Sequence, residues 1–239
     1  MKTTIRFILP FFLMIAGISN LNQAAASTQD DEYTKNYEIS GVEELDISIA
    51  CELYIAQGDE ESLKIEAEKN IFHRLKINQK NNTLYIESDE DDINYDDWDV
   101  EVYITVKELK SVDIGGAVKM RNKGILKTEK LSLEVSGAAD IELEIDVEKL
   151  TADFSGAVNA ELEGRARYIV MDMSGASKVD AEDLICDAFY LDFSGFGKAE
   201  VYAEKVLKVD MSGMGVVRYS GHPGKIETES SGLGVIKSR

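Results

Sequence analysis

Histidine and cysteine are scarce in this chain, basic charge is in short supply, and no apolar run reaches membrane-spanning length. Each shortage closes off a class of function. The two histidines are His73, in "NIFHRLKI", and His222, in "SGHPGK". Neither has an Asp, Cys or Ser neighbour that makes a local motif, and two are too few for a His-rich metal site. Both read as strand or turn residues. The two cysteines, Cys51 and Cys186, sit in strand-like apolar runs. They would be free to pair in an oxidising compartment, but their surroundings read as those of buried thiols.

The charge is one-sided: 26 Lys and Arg against 45 Asp and Glu, a formal net charge of −19. Nucleic acid and anionic membrane surfaces are repelled at long range by such a chain. Cations, basic proteins and neutral glycans remain as partners. The longest apolar run, "FILPFFLMIAGI", has twelve residues, short of the ~20 needed to span a bilayer. It follows Lys2 and Arg6 and ends in "AAAS", an Ala-x-Ala cleavage pattern that places the cut after Ala26. Residues 1–26 therefore read as a secretory signal peptide and are set aside from fold reasoning. No cysteine lies near the cut, so a lipoprotein anchor is not indicated. Cleavage would leave 213 residues with a net charge of −21 and no transmembrane segment, exported to the periplasm, the cell surface or beyond.

What the chain has in abundance is one phrase, repeated. "LEVSGAADIEL" is followed by "ADFSGAVNAEL", "MDMSGASKVDA" and "LDFSGFGKAEV". Aligned on its glycine, the phrase occurs at Gly116, Gly137, Gly156, Gly175, Gly195, Gly213 and Gly232, with spacings of 21, 19, 19, 20, 18 and 19. Two residues before each Ser position stands an acid: Asp113, Glu134, Asp153, Asp172, Asp192, Asp210 and Glu229. Mostly apolar residues flank it, as Leu133 and Val135 flank Glu134. This is period-2 alternation, which makes each segment a strand with one face inward. Ser-Gly breaks the strand with a corner that requires little side-chain bulk. Alternation then resumes, as in Ile141-Glu142-Leu143.

Several short strands and corners in each 18–21-residue repeat, without helical periodicity, describe one coil of a solenoid. The Leu/Asn consensus of leucine-rich repeats is absent, and a WD-type blade needs about forty residues. The expected fold is all-β: a right-handed, single-stranded parallel β-helix over residues 41–239, with equivalent positions stacked ~4.8 Å apart. Residues 109–239 form its regular Ser-Gly coils. Residues 41–108 alternate less evenly and read as irregular first coils, or alternatively as a separate small β subdomain. Residues 27–40 are polar and read as a flexible segment. In this layout Cys51 and Cys186 are several coils apart.

The opening "VEELDISIACELYIAQGDEESLKIEAEKN", the tandem "SGA" and "SGxG" copies, and the ending "VVRYSGHPGKIETESSGLGVIKSR" together carry a family resemblance. They resemble the putative auto-transporter adhesin, head GIN domain family of bacterial exported proteins, common in Bacteroidetes. The resemblance extends over about residues 41–239. It implies a right-handed parallel β-helix reminiscent of pectin-lyase-like folds, without recognised catalytic residues, and a role in adhesion. The chain departs from the pattern at Gly115-Gly116, where Ser-Gly is expected, and has no literal Gly-Ile-Asn tripeptide.

Chemistry-bearing motifs are few. None of the serines before glycine lies in Gly-x-Ser-x-Gly, and the Gly-x-Gly pairs at 195/197, 213/215 and 232/234 lack the third glycine of a dinucleotide loop. "DEDDINYDDWD", residues 89–99, offers Asp89, Asp91, Asp92, Asp96 and Asp97 for Ca²⁺ but fails the EF-hand pattern, and reads as a solvated loop with Tyr95 and Trp98 packing it down. The acidic column Asp113, Glu134, Asp153, Asp172, Asp192, Asp210 and Glu229 reads first as a solvated stripe. Its second reading is a row of carboxylates through which divalent cations bridge adjacent coils. A pectate-lyase-like enzyme would need an Arg or Lys base beside clustered acids in a long-looped groove. Arg165, Arg167 and Arg218 are available, but nothing in the sequence ties them to the acids. The expected function is a non-enzymatic binding or adhesion module of the cell envelope, without cofactor, its partner a glycan or a host or cell-surface protein. A polysaccharide-active β-helix enzyme and a purely structural envelope component are the alternatives.

Overall fold

The computed structural model describes residues 32–88 and 99–239, most of them strand. The leader 1–26 and the acidic run 89–98, with the Ca²⁺ and packing readings placed on it, lie outside the described residues. The strands in chain order are β1 (Glu32–Tyr37), β2 (Glu44–Ile47), β3 (Cys51–Gln57) and β4 (Ser62–Glu68); after the single turn of α1 (Lys69–Phe72) come β5 (Leu75–Lys80), β6 (Thr83–Ser88) and β7 (Val100–Val106). The repeat region supplies β8 (Ser111–Ile114), β9 (Ala117–Lys123), β10 (Leu126–Val135), β11 (Ala138–Phe154), β12 (Ala157–Met173) and β13 (Ala176–Ala181). It continues with β14 (Leu184–Phe193), β15 (Phe196–Tyr202), β16 (Val206–Met211), β17 (Met214–Ser220), β18 (Lys225–Ser230) and β19 (Val235–Ser238).

From β8 onward every pairing is parallel and in register with the repeat: Leu133 lies beside Val112 and Ala152, and Phe154 beside Val135 and Met173. The protein is a β-solenoid, as its period requires. Alternation decides the burial. In the strand before each corner the inward residues Leu133, Ala152, Met171, Leu191 and Val209 form one column, and Val135, Phe154, Met173, Phe193 and Met211 form the next. All ten are buried. Each large apolar side chain withdrawn from water contributes ~1.5–3 kcal/mol before conformational entropy is subtracted.

The glycine column marks corners with no room for side-chain bulk, and the reason is steric. None of Gly116, Gly137, Gly156, Gly175, Gly195, Gly213 or Gly232 is among the glycines with positive φ, so the corner does not demand a left-handed residue. It demands close approach. The amide N–H groups of Ser155 and Gly156 both donate to the Val135 carbonyl at 3.0 Å, and Ala157 N–H donates to the Gly137 carbonyl at 2.9 Å. The same pattern recurs coil after coil, so the hydrogen-bond ladder runs unbroken through the corner. A Cβ on Gly156 would sit 1.9 Å from the Gly137 oxygen, and one on Gly175 would sit 2.0 Å from the Gly156 oxygen.

The coils do not stack in chain order at the N-terminal end. β2 and β3 lie parallel beneath β8 and β9, but beyond them lie β6 and β7, which come later in the chain. β7 then pairs antiparallel with β4, β4 with β1, and β6 with β5. This antiparallel layer finishes a parallel edge that would otherwise offer unpaired backbone groups. It also corrects the expectation for residues 32–37. They form β1, held along the β4 edge with Thr34 Oγ1 donating to Glu66 Oε1 at 3.2 Å. A polar composition there reflects an exposed edge strand.

Candidate functional site

The solenoid presents three kinds of surface. The first is the acidic column. Register sets Glu134 between Asp113 and Asp153, Asp172 between Asp153 and Asp192, and Asp210 between Asp192 and Glu229. Asp46 of β2, opposite Asp113, adds an eighth member at the N-terminal end. The sequence carried its signal in "LDIS" at 45–48, the same acid-apolar-Ser order. Carboxylates at the ~4.8 Å coil spacing repel by about 1 kcal/mol even in bulk water. Partial burial, and then the charges of Asp46 and Glu134, raise the Asp113 pKa above the usual aspartate value. Burial, then Asp192 and Asp153, do the same at Asp172. Among the described residues no group of three or more His, Cys, Asp or Glu converges as a metal cage would. The acids are a row, each facing solvent.

The second surface lies past the corner. Outward residues there carry both signs, with Lys119 holding Glu52 at 2.7 Å, Arg121 holding Glu142 at 2.8 Å, and Arg218 holding Glu200 at 3.3 Å.

The third surface is concave. Val147, Ala166 and Cys186 form one buried column of β11, β12 and β14, and the ladder skips the position that follows it. The outward residues on either side then lean over a groove of about 580 Å³. Lys127, Asp146, Arg165 and Ile185 line one wall, and Glu129, Glu148, Arg167 and Asp187 the other. Most of its charges are neutralised locally: Lys127 with Asp146 at 3.6 Å, Arg167 with Glu148 at 3.4 Å, and Lys205 with Asp187 at 2.8 Å. Arg167 also lies 5.2 Å above the ring of Tyr168. Arg165 is the exception, an exposed guanidinium with no ion-pair partner among the described residues. The structure thus ties Arg167 and Arg218 to acids and leaves Arg165 available. Sequence reasoning missed this groove, although the slip in alternation at Glu148-Lys149 and Arg167-Tyr168 marks a corner there.

The other residues singled out from sequence are not brought together. His73 follows α1 and His222 sits in the turn between β17 and β18, both exposed. Cys51 and Cys186 are free, and burial pushes each thiol up to about 12.

No curated protein matches the chain. A crystal structure of a putative adhesin from Bacteroides fragilis superposes with a TM-score of 0.83 at 22% identity, covering 87% of this chain and 97% of that one. A putative adhesin from Parabacteroides distasonis gives 0.70 at 18% identity, over 88% and 98%. A putative lipid binding protein from the same species gives 0.69 at 17%, over 88% and 98%. At these identities the likeness is one of fold. The sequence itself matches a family model over residues 42–223, and the chain belongs to the family described as putative auto-transporter adhesin, head GIN domain.

Proposed function

We propose that this protein is an exported, non-enzymatic adhesion module of the cell envelope whose concave third face engages a glycan or a cell-surface protein. The family supports an exported or surface setting, and among the described residues no helix is long and apolar enough to cross a membrane. The observation that carries the reading is the groove beside Arg165. It is about 580 Å³ in volume, lined by paired charges that supply donors and acceptors, with one unpaired guanidinium and the apolar edge of Ile185. A rigid polar trough of this kind suits a hydroxyl-rich or carboxylate-bearing ligand, which the guanidinium would grip through charge-assisted hydrogen bonds.

The test is a glycan and host-matrix binding array on the purified protein, with cell fractionation alongside. Saturable binding without product release is expected. Arg165→Ala should weaken it roughly 10- to 100-fold, the worth of one hydrogen bond to a charged group. Full affinity in that variant would remove the groove from the proposal. Release of shortened chains would replace the module with a polysaccharide-active enzyme.

A further inference from the structure

We infer that the surface past the corner is a self-complementary interface and that the protein forms a closed antiparallel dimer through it. The evidence is one outward column, the residue directly after each corner glycine. It reads Ala117, Ala138, Ala157 and Ala176, then Phe196 and Met214 in register. The pairing of Val216 with Val235 puts Leu233 next. Four small residues are followed by three large apolar ones. The large ones stand in water, Phe196 at 62% exposure, Met214 at 48% and Leu233 at 82%, with Val235 at 53% beside them.

Coil packing accounts for their glycine neighbours but not for them. A Cβ on Gly197 would meet the Ser177 oxygen at 1.8 Å and one on Gly215 the Gly197 oxygen at 2.0 Å, while Gly234 leaves room for the Met211 side chain, which a Cβ would meet at 2.1 Å. Those glycines serve the chain's own packing. Phe196, Met214 and Leu233 point the other way, and flanking glycines leave them unshielded along the strand. A contiguous exposed apolar ridge on a soluble surface marks a contact site.

The occupant follows from the other half of the same column. The alanines floor a trough of about 510 Å³, edged by Lys119, Asp140 and Asn159 and ending at Ala176, one coil before Phe196. Ridge and trough lie end to end on one line. A two-fold axis crossing that line at Ala176 sets Phe196 over Ala157 of the partner subunit. The same axis sets Met214 over the partner subunit's Ala138, and Leu233 over the partner subunit's Ala117. The contact is made twice, and it closes at two copies. Parallel packing about the same column would press ridge on ridge and leave the troughs empty.

Charge allows this face and disfavours the acidic one. In the two outward columns beside the ridge, from β9 to β19, six basic and five acidic side chains nearly balance, whereas the whole chain has 26 basic against 45 acidic. The acidic column stays on the far side of the corner. Seven coils at ~4.8 Å by six residues at ~3.3 Å give about 700 Å² per copy, close to the ~800 Å² of a standard specific interface.

The test is sedimentation of the purified protein at micromolar concentration across salt. A dimer is expected, strengthening with salt as the residual net negative charge is screened. Phe196→Lys with Met214→Lys should give a monomer with an unchanged circular dichroism spectrum and a melt that no longer depends on protein concentration. Orientation is read by cross-linking. Chains carrying Ala157→Cys mixed with chains carrying Phe196→Cys should form a mixed disulfide dimer on oxidation, and neither should cross-link alone. The native thiols are buried and do not compete. A monomer at every salt concentration overturns the inference, as does a dimer that survives the double lysine variant. Self-cross-linking of Phe196→Cys would mean ridge on ridge. A monomer that binds phosphatidylcholine vesicles through the ridge would assign that surface to lipid instead.

Discussion

Gly156→Ala adds one carbon to the middle of the solenoid, and the structure says where that carbon must go. Its Cβ falls 1.9 Å from the Gly137 oxygen and 2.7 Å from the Ser136 oxygen. A comfortable carbon–oxygen contact needs about 3.3 Å, so the two coils must part by more than an ångström at the corner. Three bonds span that gap, from the N–H groups of Ser155, Gly156 and Ala157, at 2.9–3.0 Å. Losing them costs about 1 kcal/mol each, and more where the freed groups stay buried. Phe154 and Val158, buried on either side, must move with the backbone. The sum is roughly 3–5 kcal/mol, a large share of the ~5–15 kcal/mol that holds a domain folded. It runs against the ordinary gain of ~0.5–1 kcal/mol for replacing a strand glycine with alanine.

Two other glycines separate close approach from conformation. At Gly224 the nearest atom to an added Cβ is the Lys205 oxygen, 3.9 Å away. Gly224→Ala should be neutral within about 0.5 kcal/mol. Gly41 has φ +66 with nothing within 4 Å, so Gly41→Ala should cost only the ~1–2 kcal/mol of a left-handed L-residue. Urea unfolding followed by circular dichroism ranks the three. Slopes are compared as well as midpoints, because a solenoid can lose its coils in stages. A Gly156→Ala midpoint equal to that of Gly224→Ala would refute the close-approach account of the whole column.

The acidic row and the thiols carry the other expectations. Asp113 and Asp172 have raised pKa values in the folded state, so that state binds their protons more tightly than the unfolded chain does. Their contribution to stability is fully present below the unfolded aspartate value and is lost as pH rises through the raised folded value. Lowering the pH from 7 into the range just above ordinary aspartate titration should therefore raise Tm. Asp113→Asn with Asp172→Asn should raise Tm at pH 7 and flatten that rise, whereas a pH profile identical to wild type would mean that the row is fully screened. Cys51 and Cys186 should stay unreactive to a thiol reagent until denaturant is added and then titrate as two free thiols. Fast labelling of the native protein, or an intramolecular disulfide by mass spectrometry, would contradict their burial.

The parts of this molecule that could be read in advance are those set by nearest-neighbour repetition. Residues about twenty apart stack, so the acids had to fall in one column and Leu133, Ala152 and Met171 in another, and register preserves those columns. What could not be read depends on relations that repetition leaves open. No local preference tells β6 and β7 to stack beyond β2 and β3; the unpaired edge of the finished solenoid makes that choice, and β4 and β1 complete it. The groove beside Arg165 lies over the buried column of Val147 and Ala166, just before alternation slips at Glu148-Lys149 and Arg167-Tyr168, and such a slip marks a change of direction without saying that the outer surface there is hollow. The ridge was written openly, as "SGFG", "SGMG" and "SGLG" after three copies of "SGA". A repeat search treats such a change as drift within a column. Only when inside and outside are known does it separate into two facts. The second glycine admits the backbone of the neighbouring coil at Gly197 and Gly215 and the Met211 side chain at Gly234, while Phe196, Met214 and Leu233 gain no cover from their own chain. A departure that coil packing explains on one side and leaves unexplained on the other is where this solenoid differs from a scaffold, and that asymmetry points outward to a second molecule.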